Sequence, residues 1–169
     1  IGLRNPELSL DSTPKWLVWK DSLLSYESKY GDIDVLIDLD CTSPLRRLSD
    51  IKGAYNQFIT SNADLVLSAC EARKNPYFNL VEYNNQNSLV VSKPLSDGVC
   101  CRQDAPPVFE HAASIYVMSS NYLKSAKHLY DGLILPHIMP FERCFDIDST
   151  FDFKLVDWLL SSTKQFYLS

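Results

Sequence analysis

The sequence predicts an α/β fold with a mostly parallel sheet that carries helices on its faces. Helix and strand patterns alternate along the first half of the chain, and the strand patterns are short apolar runs rich in β-branched residues. Alternation of this kind is typical of βαβ units, in which parallel strands are joined by helices. At 169 residues the chain has the length of one domain, which we assign to residues 1–169.

Two helices are predicted in the first 60 residues from their start signals and apolar spacing. One begins near Thr13, which can cap it and precedes Pro14, and it ends by Gly31. The other is capped by Ser49 and is strongly amphipathic. Its apolar positions are Ile51, Ala54, Tyr55, Phe58 and Ile59.

The strands are predicted from short apolar runs between turn residues. Residues 33–39 are predicted as a strand buried on both faces, and residues 64–69 and 113–118 as two more. Residues 133–139 are expected to be extended. A last helix begins near Ser149.

Composition excludes several classes of function. The net charge is −5 and the basic residues are scattered, which disfavours nucleic acid as a partner. No apolar run approaches the roughly 20 residues of a membrane-spanning helix. The five glycines stand apart, so no phosphate-binding glycine loop occurs in the sequence, and the three histidines lack the spacing of a zinc site on one helix. The five cysteines are interpreted as free thiols of a cytoplasmic protein.

Two pairs of carboxylates are candidates for a metal site. Asp38 and Asp40 end the strongest predicted strand, and a Thr-Ser-Pro turn containing Ser43 follows. Asp146 and Asp148 precede the last helix. Residues two apart on an extended chain share a side, and Mg²⁺ is commonly held by one or two carboxylates together with water and phosphates. As alternatives, Asp148 stabilises the helix N-terminus and Asp40 caps the turn.

Arg102 is a candidate for binding an acidic substrate. It stands beside the amide of Gln103 and just before two prolines. A guanidinium binds carboxylate or phosphate through two parallel hydrogen bonds. The alternative is a surface salt bridge with Asp104 or Glu110.

Six motifs, in this order, resemble those of the acylneuraminate cytidylyltransferase family. They are Arg-Asn-Pro-Glu-Leu-Ser-Leu-Asp-Ser-Thr-Pro at 4–14, Leu-Asp-Cys-Thr-Ser-Pro-Leu-Arg at 39–46, Lys-Asn-Pro-Tyr-Phe-Asn at 74–79, Arg-Gln-Asp-Ala-Pro at 102–106, Ala-Ser-Ile-Tyr at 113–116 and Phe-Asp-Ile-Asp at 145–148. The resemblance implies a Rossmann-like nucleotidyltransferase fold of the nucleotide-diphospho-sugar transferase type. It also implies a homodimer, in which we expect residues 117–142 to form the dimerisation extension.

The activity implied by the resemblance is that of a CMP-nonulosonate synthetase. Such an enzyme transfers CMP from CTP to the anomeric hydroxyl of a sialic-acid-like sugar (legionaminic, pseudaminic or N-acetylneuraminic acid) and releases pyrophosphate, with Mg²⁺ as cofactor. By the same resemblance, Asp146 and Asp148 bind the metal, Arg102 receives the sugar carboxylate, Arg4 lies near the nucleotide phosphates and Tyr116 lines the sugar pocket. We expect Asp146, Asp148 and Arg102 to be catalytic.

Further substrate contacts are expected from Asp40, Ser43 and Gln103, although the sequence departs from the family pattern. Asp40 stands where many sialic acid enzymes have a glutamine, and is interpreted as helping the metal or accepting a hydrogen bond from a hydroxyl. Ala112 replaces an asparagine that faces the sugar. The family's Gly- and Lys/Arg-rich nucleotide loop lies upstream of Ile1, so the chain as given is expected to be N-terminally truncated and inactive alone. The alternative is a non-catalytic sugar-binding or dimerisation module derived from this fold.

Overall fold

The computed structural model describes residues 5–10, 12–96, 98 and 101–162. These residues form helices α1 (Lys15–Tyr30), α2 (Leu48–Thr60), α3 (Ser120–Ser125) and α4 (Thr150–Ser162), with strands β1 (Val35–Leu39), β2 (Leu65–Glu71), β3 (Val81–Tyr83), β4 (Leu89–Val91), β5 (Phe109–Ser119) and β6 (Ile134–Ile138). No helix within these ranges is both long and apolar enough to cross a membrane. The predicted α/β class is confirmed, and so are the strands predicted near 64–69, 113–118 and 133–139.

The main sheet is mixed, so the prediction of a mostly parallel sheet is wrong. Its strand order is β1-β5-β2-β6, and β3 pairs with β4 in a separate hairpin. β5 is antiparallel to both neighbours, whereas β2 and β6 are parallel. The chain between β2 and β5 includes the hairpin and a short 3-10 turn but no α-helix in its described part. Because no crossover helix carries the chain to the opposite edge of the sheet, β5 begins at the edge where β2 ends. β5 therefore runs antiparallel to β2.

Helices cover both faces of the sheet, as predicted. On one face, Trp19 and Leu23 of α1 pack with Leu123 of α3 against β2 and β5. On the other face, Ala54 and Phe58 of α2 pack against the same two strands. The strands are thus held between two apolar layers, and the ends of the strands remain free to carry polar residues.

The last helix begins directly after Ser149, whose Oγ accepts from the N–H of Asp152 at 3.3 Å as predicted, but the starts of the first two helices differ from those predicted. The hydroxyl of Thr13 donates to the carbonyl of Glu7 (3.4 Å) and does not cap α1, which begins after Pro14. α2 begins at Leu48, and its first turn is closed by Asp50, whose Oδ2 accepts from the backbone N–H of Arg47 at 2.8 Å. A carboxylate at this position also interacts favourably with the helix dipole.

Residues 117–142 supply the end of β5, the short helix α3 and strand β6. Val117, Met118 and Leu123 in this range are fully buried within the chain itself. The segment therefore belongs to the sheet and its covering layer. Its expected role in dimerisation stays a prediction.

β1 forms an edge of the main sheet. The prediction that this strand is buried on both faces is wrong, because Ile37 is 42% exposed and Leu39 is 41% exposed. A sheet edge leaves backbone N–H and C=O groups without strand partners, and such edges readily pair with other chains.

A bulge in β5 is closed by the hydroxyl of Ser68. Leu67 lies opposite Tyr116 but Ala69 lies opposite His111, so one residue of β2 faces four residues of β5. The Oγ of Ser68 accepts from the N–H of Ile115 at 2.8 Å and donates to the carbonyl of Ala112 at 2.7 Å. Without these bonds, the buried N–H of Ile115 and the carbonyl of Ala112 would lose their hydrogen-bond partner in the irregular part of β5.

We expect Ser68→Ala to lower the free energy of unfolding by about 2 kcal/mol, because the N–H of Ile115 loses its partner in the interior. The matched control is Ser114→Ala. Ser114 is also 0% exposed, but its hydroxyl has no hydrogen-bond partner among the described residues, so its removal should be neutral or stabilising. Urea denaturation of both variants measures the difference. Equal losses would contradict the role given to Ser68.

We expect the chain as given to self-associate through the edge of β1, and Ile37→Lys to shift it toward monomer. A lysine on an edge strand opposes pairing with a second strand. Val81→Lys, at an exposed aliphatic position in the β3–β4 hairpin outside the main sheet, is the control and should leave association unchanged. Sedimentation velocity measures the effect. If the unsubstituted chain is already a monodisperse monomer, the predicted self-association is contradicted.

Candidate functional site

The candidate site lies at the edge of the sheet where three strands end. β1 and β2 run antiparallel to β5, and β6 runs parallel to β2. The carboxyl ends of β1, β2 and β6 therefore lie at the same edge of the sheet. Asp40 follows β1, Ala72 follows β2, and residues 139–149 follow β6. β5 starts at this same edge with Phe109 opposite Glu71. Carboxyl ends of strands are where α/β sheets commonly bind ligands.

Lys15 organises the first pair of carboxylates. Its Nζ lies 2.7 Å from Oδ2 of Asp38 and 2.5 Å from Oδ2 of Asp40. The same ammonium lies over the rings of Trp19 and Tyr116, at 5.2 and 4.9 Å from their centroids. The sequence analysis missed Lys15, because nothing in the spacing of a helix start indicates a contact with the end of the following strand.

The contact between Lys15 and Asp40 shifts the pKa of both side chains. Burial disfavours the ammonium, but hydrogen bonds and charge from Asp38 and Asp40 outweigh it and raise the pKa of Lys15. Burial likewise disfavours the carboxylate of Asp40, yet Lys15 and the N–H and hydroxyl of Thr42 lower its pKa. Lys15 and Asp40 are therefore both charged at neutral pH.

The turn after β1 is fixed by Asp40 and Arg46. Oδ1 of Asp40 accepts from the hydroxyl of Thr42 at 3.0 Å, which confirms the alternative that Asp40 caps the Thr-Ser-Pro turn. Arg46 donates to the carbonyls of Asp40 and Ser43. Ser43 itself is 1% exposed, and its hydroxyl has no hydrogen-bond partner in the described part of the chain. The side chain of Ser43 thus lies beneath the turn and not on its open side.

The second carboxylate pair lies beside this turn. The N–H of Ile147, between Asp146 and Asp148, donates to the carbonyl of Thr42 at 2.9 Å. Asp146 is half-buried, and Asp148 is exposed just before α4. The pKa of Tyr116 is raised well above its ordinary value by burial, and then by the charges of Asp40, Asp38, Tyr130 and Asp146. The structure therefore brings Asp146 of the second pair to the same buried tyrosine as Asp38 and Asp40 of the first.

Long-range contacts hold the segment that carries Asp146 and Asp148. Nη1 of Arg143 lies 2.9 Å from Oδ1 of Asp50 in α2, and both side chains are largely buried. The thiol of Cys144 is in hydrogen-bonding contact with that of Cys70 in β2. These contacts place the segment at the ends of the strands.

The donor set at this edge fits a magnesium ion held by few protein ligands. Within residues 5–10, 12–96, 98 and 101–162, no three His, Cys, Asp or Glu side chains form a group that could hold a metal. Of the two predicted pairs, Asp38 and Asp40 are bound to Lys15, so Asp146 and Asp148 are the pair proposed for the ion. Mg²⁺ commonly binds through one or two carboxylates and takes its other ligands from water and phosphates.

Arg102 lies at the same edge, next to the end of β2. Its Nη2 donates to the carbonyls of Ala72 and Arg73, both at 3.3 Å, and the residue is exposed. Glu110, a partner considered from the sequence, accepts instead from the N–H of Arg73 at 2.9 Å. Gln103 is exposed beside Arg102. Arg4 lies outside the described residues.

His111 completes the site and was not predicted from the sequence. Its ring lies 5.4 Å from that of Tyr116, and its Nδ1 lies 3.2 Å from the hydroxyl of Tyr130. On a regular strand His111 and Tyr116 would point to opposite faces, and the bulge at residues 112–115 brings them together. Partial burial of the ring and then the charge of Lys15 lower the pKa of His111.

No protein-family model matches the chain, but individual proteins do. It is 39% identical over 159 residues to a CMP-N,N'-diacetyllegionaminic acid synthase of Campylobacter jejuni, an alignment that covers 94% of this chain and 66% of that protein. The chain belongs to the acylneuraminate cytidylyltransferase family. The family resemblance seen in the six motifs is thereby confirmed.

Two other relatives agree with this family membership. The post-translational flagellin modification protein B of Campylobacter coli is 36% identical over 158 residues, covering 93% of this chain and 66% of that protein. An N-acylneuraminate cytidylyltransferase of Streptococcus agalactiae is 27% identical over 153 residues, covering 90% of this chain and 36% of that protein. The chain thus spans just under two thirds of the length of the two Campylobacter relatives.

We expect His111 of this cytidylyltransferase-family chain to titrate below the ordinary histidine pKa of about 6.5, and Lys15→Met to raise its pKa. The substitution removes a nearby positive charge and frees two carboxylates, and both changes favour the imidazolium. Lys20→Met is the control, since Lys20 lies over Trp16 and donates to the carbonyl of Ala126. NMR titration of the histidine ring protons measures all three proteins. A titration that Lys15→Met leaves unchanged contradicts the electrostatic coupling.

Proposed function

We propose that the full-length protein containing this chain is a CMP-nonulosonate synthetase. It would transfer CMP from CTP to the anomeric hydroxyl of a sialic-acid-like sugar (legionaminic, pseudaminic or N-acetylneuraminic acid) and release pyrophosphate. The observation that carries the proposal is the hydrogen bond from Ile147 to Thr42 at 2.9 Å, which joins the Asp146–Asp148 segment to the turn after Asp40. The names of the Campylobacter jejuni and Streptococcus agalactiae relatives support the same reaction class.

Arg102 is proposed to receive the carboxylate of the sugar. Two of its five N–H donors, at most, are taken by the carbonyls of Ala72 and Arg73, and both bonds are long at 3.3 Å. Among the described residues no other hydrogen bond of this guanidinium is seen, and its remaining donors can form a bidentate pair with a carboxylate at the exposed edge. Gln103, exposed next to it, can add a hydrogen bond to the same ligand.

Tyr116 and Asp40 are proposed to form the wall beside the sugar. Tyr116 is buried under Lys15, Trp19 and His111, so it supplies a fixed apolar surface. Asp40 keeps an ionised carboxylate at the rim and accepts hydrogen bonds from hydroxyl or amide groups. Ser43 is proposed to act only by supporting this turn, because its hydroxyl lies beneath it.

Asp146 and Asp148 are proposed to hold Mg²⁺. When bound, the ion neutralises charge on the phosphates of CTP and stabilises the charge that develops as pyrophosphate leaves. The chain contributes the position of the ligands: Ile147 fixes their backbone to the turn, and Arg143 and Cys144 fix the preceding residues to α2 and β2. This segment and Arg102 lie at the same edge of the sheet, so bound CTP and the sugar would meet at that edge.

Three further features are proposed from the family alone. They are a nucleotide-phosphate contact from Arg4, a homodimer that uses residues 117–142, and a cytoplasmic location.

We expect the full-length protein to release pyrophosphate from CTP, Mg²⁺ and at least one nonulosonic acid of a panel, and Asp148→Ala to reduce kcat by about 100-fold or more. Loss of a metal ligand removes several kcal/mol of stabilisation from the transition state, and each 1.4 kcal/mol is about tenfold in rate. A coupled pyrophosphate assay measures this. The matched control is Asp157→Ala, which removes an exposed carboxylate from α4 and should leave kcat within about twofold.

Two results would contradict the proposal. If Asp148→Ala has the same kcat as the unsubstituted protein, this segment does not hold a catalytic metal ion. A folded full-length protein that binds a nonulosonic acid but releases no pyrophosphate with any sugar would instead favour the non-catalytic sugar-binding module. Calorimetric titration with the same panel of sugars separates these outcomes.

A further inference from the structure

The proposed reaction needs a group that accepts the proton of the attacking hydroxyl, and the inference below rests on that proposed function. Asp38 and Asp40 are engaged by the ammonium of Lys15, and the pKa of Asp40 is lowered by that contact and by Thr42. Asp146 and Asp148 are the proposed metal ligands. The hydroxyl of Tyr116 is buried and keeps its proton at neutral pH, since its pKa is raised well above the ordinary value.

His111 is a titratable group at this edge that has none of those tasks. It lies on β5 where the strand enters the site, and the residue is exposed. The hydroxyl of Tyr130 lies 3.2 Å from Nδ1, and the ring of Tyr116 packs edge-on against the imidazole at 5.4 Å. No hydrogen-bond partner of Nε2 is seen in the described part of the chain. The imidazole is therefore held on one side and open on the other.

His111 and Arg102 lie at the same edge of the sheet, as the chemistry of the sugar requires. In a nonulosonic acid the carboxylate and the anomeric hydroxyl are attached to the same carbon atom, so a base for the hydroxyl must stand on the same edge as the carboxylate site. Arg102 donates to the carbonyl of Arg73, and the N–H of Arg73 donates to Glu110, the residue before His111 on β5. His111 is thus one residue along β5 from the contact with the segment that binds Arg102, and its ring packs against Tyr116 of the proposed sugar wall.

We propose that His111 is the general base of this site, with Nε2 accepting the proton of the anomeric hydroxyl. As the hydroxyl oxygen forms its bond to the α-phosphorus, the bond from that phosphorus to the leaving pyrophosphate oxygen breaks, and pyrophosphate departs with the electron pair. The proton stays on the imidazolium until solvent takes it. In this tautomer Nδ1–H donates to Tyr130, which leaves the lone pair on Nε2.

The groups that face His111 keep it neutral before the reaction and tolerate its charge afterwards. Before the reaction, partial burial and then the charge of Lys15 in α1 disfavour the imidazolium form of His111. The carboxylates of Asp38 and Asp40 behind Lys15, Asp146 near Tyr116, and Glu110 on the same strand limit that effect. Tyr116 and Tyr130 supply an aromatic face and a hydrogen bond without net charge. A base whose pKa lies near or below the working pH is suited to proton abstraction.

The test uses the full-length protein and His111→Ala. We expect kcat to fall by about 100-fold or more, because general bases typically contribute factors of that size. The KM for the sugar should change by less than about twofold, since a proton acceptor adds little to ground-state binding. Added imidazole should restore kcat at least about tenfold, because His111 is exposed and its removal opens space for a small base. Substituted imidazoles of higher pKa should rescue better.

A second variant keeps the test decisive if His111→Ala folds poorly. His111→Gln preserves a polar side chain of similar length, and we expect it to lose the acid limb of the kcat/KM pH profile. The control is His137→Gln, since His137 packs against Gly53 and Gln57 on the far side of β2. It should keep the acid limb and show no response to imidazole. Thermal melting confirms that each variant is folded.

The outcomes separate the two proposals. If the unsubstituted protein is active but His111→Ala keeps kcat within about threefold, or His111→Gln keeps the acid limb, His111 is not the base and the synthetase activity still stands. If the unsubstituted protein releases no pyrophosphate with any sugar, the proposed function fails and this inference fails with it. Imidazole rescue of His111→Ala, absent in His137→Gln, supports both.

Discussion

The arrangement of the site depends on one buried hydroxyl, that of Ser68. It accepts from the N–H of Ile115 and donates to the carbonyl of Ala112, and so closes a bulge in which four residues of β5 face one residue of β2. Because side chains alternate along a strand, His111 and Tyr116 would otherwise point to opposite faces. The bulge brings their rings to 5.4 Å. Stability in the core and geometry at the edge of the sheet are therefore set by the same two hydrogen bonds.

Lys15 explains how the acidic side chain of Asp40 is accommodated at the rim of the proposed site. A half-buried Asp40 beside Asp38 would place two like charges close together at low dielectric, which is unfavourable. The ammonium of Lys15 contacts both carboxylates and also lies over the rings of Trp19 and Tyr116. One cation from the first turn of α1 thus joins the helix, the end of β1 and the central strand. The charge of Asp40 is retained at the rim, where it accepts hydrogen bonds and does not donate them.

The segment with Asp146 and Asp148 has little regular structure of its own. It is positioned by contacts with three different elements: Arg143 with Asp50 in α2, Cys144 with Cys70 in β2, and Ile147 with Thr42 in the turn after β1. Ligands on a loop are precise only when the loop is supported in this way. Asp50 also closes the first turn of α2, so the start of that helix and the position of the proposed metal ligands are linked through one carboxylate.

The sequence by itself determined the α/β class, the strands near 64–69, 113–118 and 133–139, and the family, because apolar runs and ordered motifs are local properties of the chain. It also indicated both carboxylate pairs and Arg102, since their residue types carry their chemistry in any fold. Only the tertiary structure decided that β5 is antiparallel, that β1 is an edge, and that Ser43 is buried beneath its turn. It alone brought Lys15 to Asp38 and Asp40, and His111 to Tyr116. Those contacts depend on strand order and on a bulge, and both are set by pairing between residues distant in the chain, which no local pattern records.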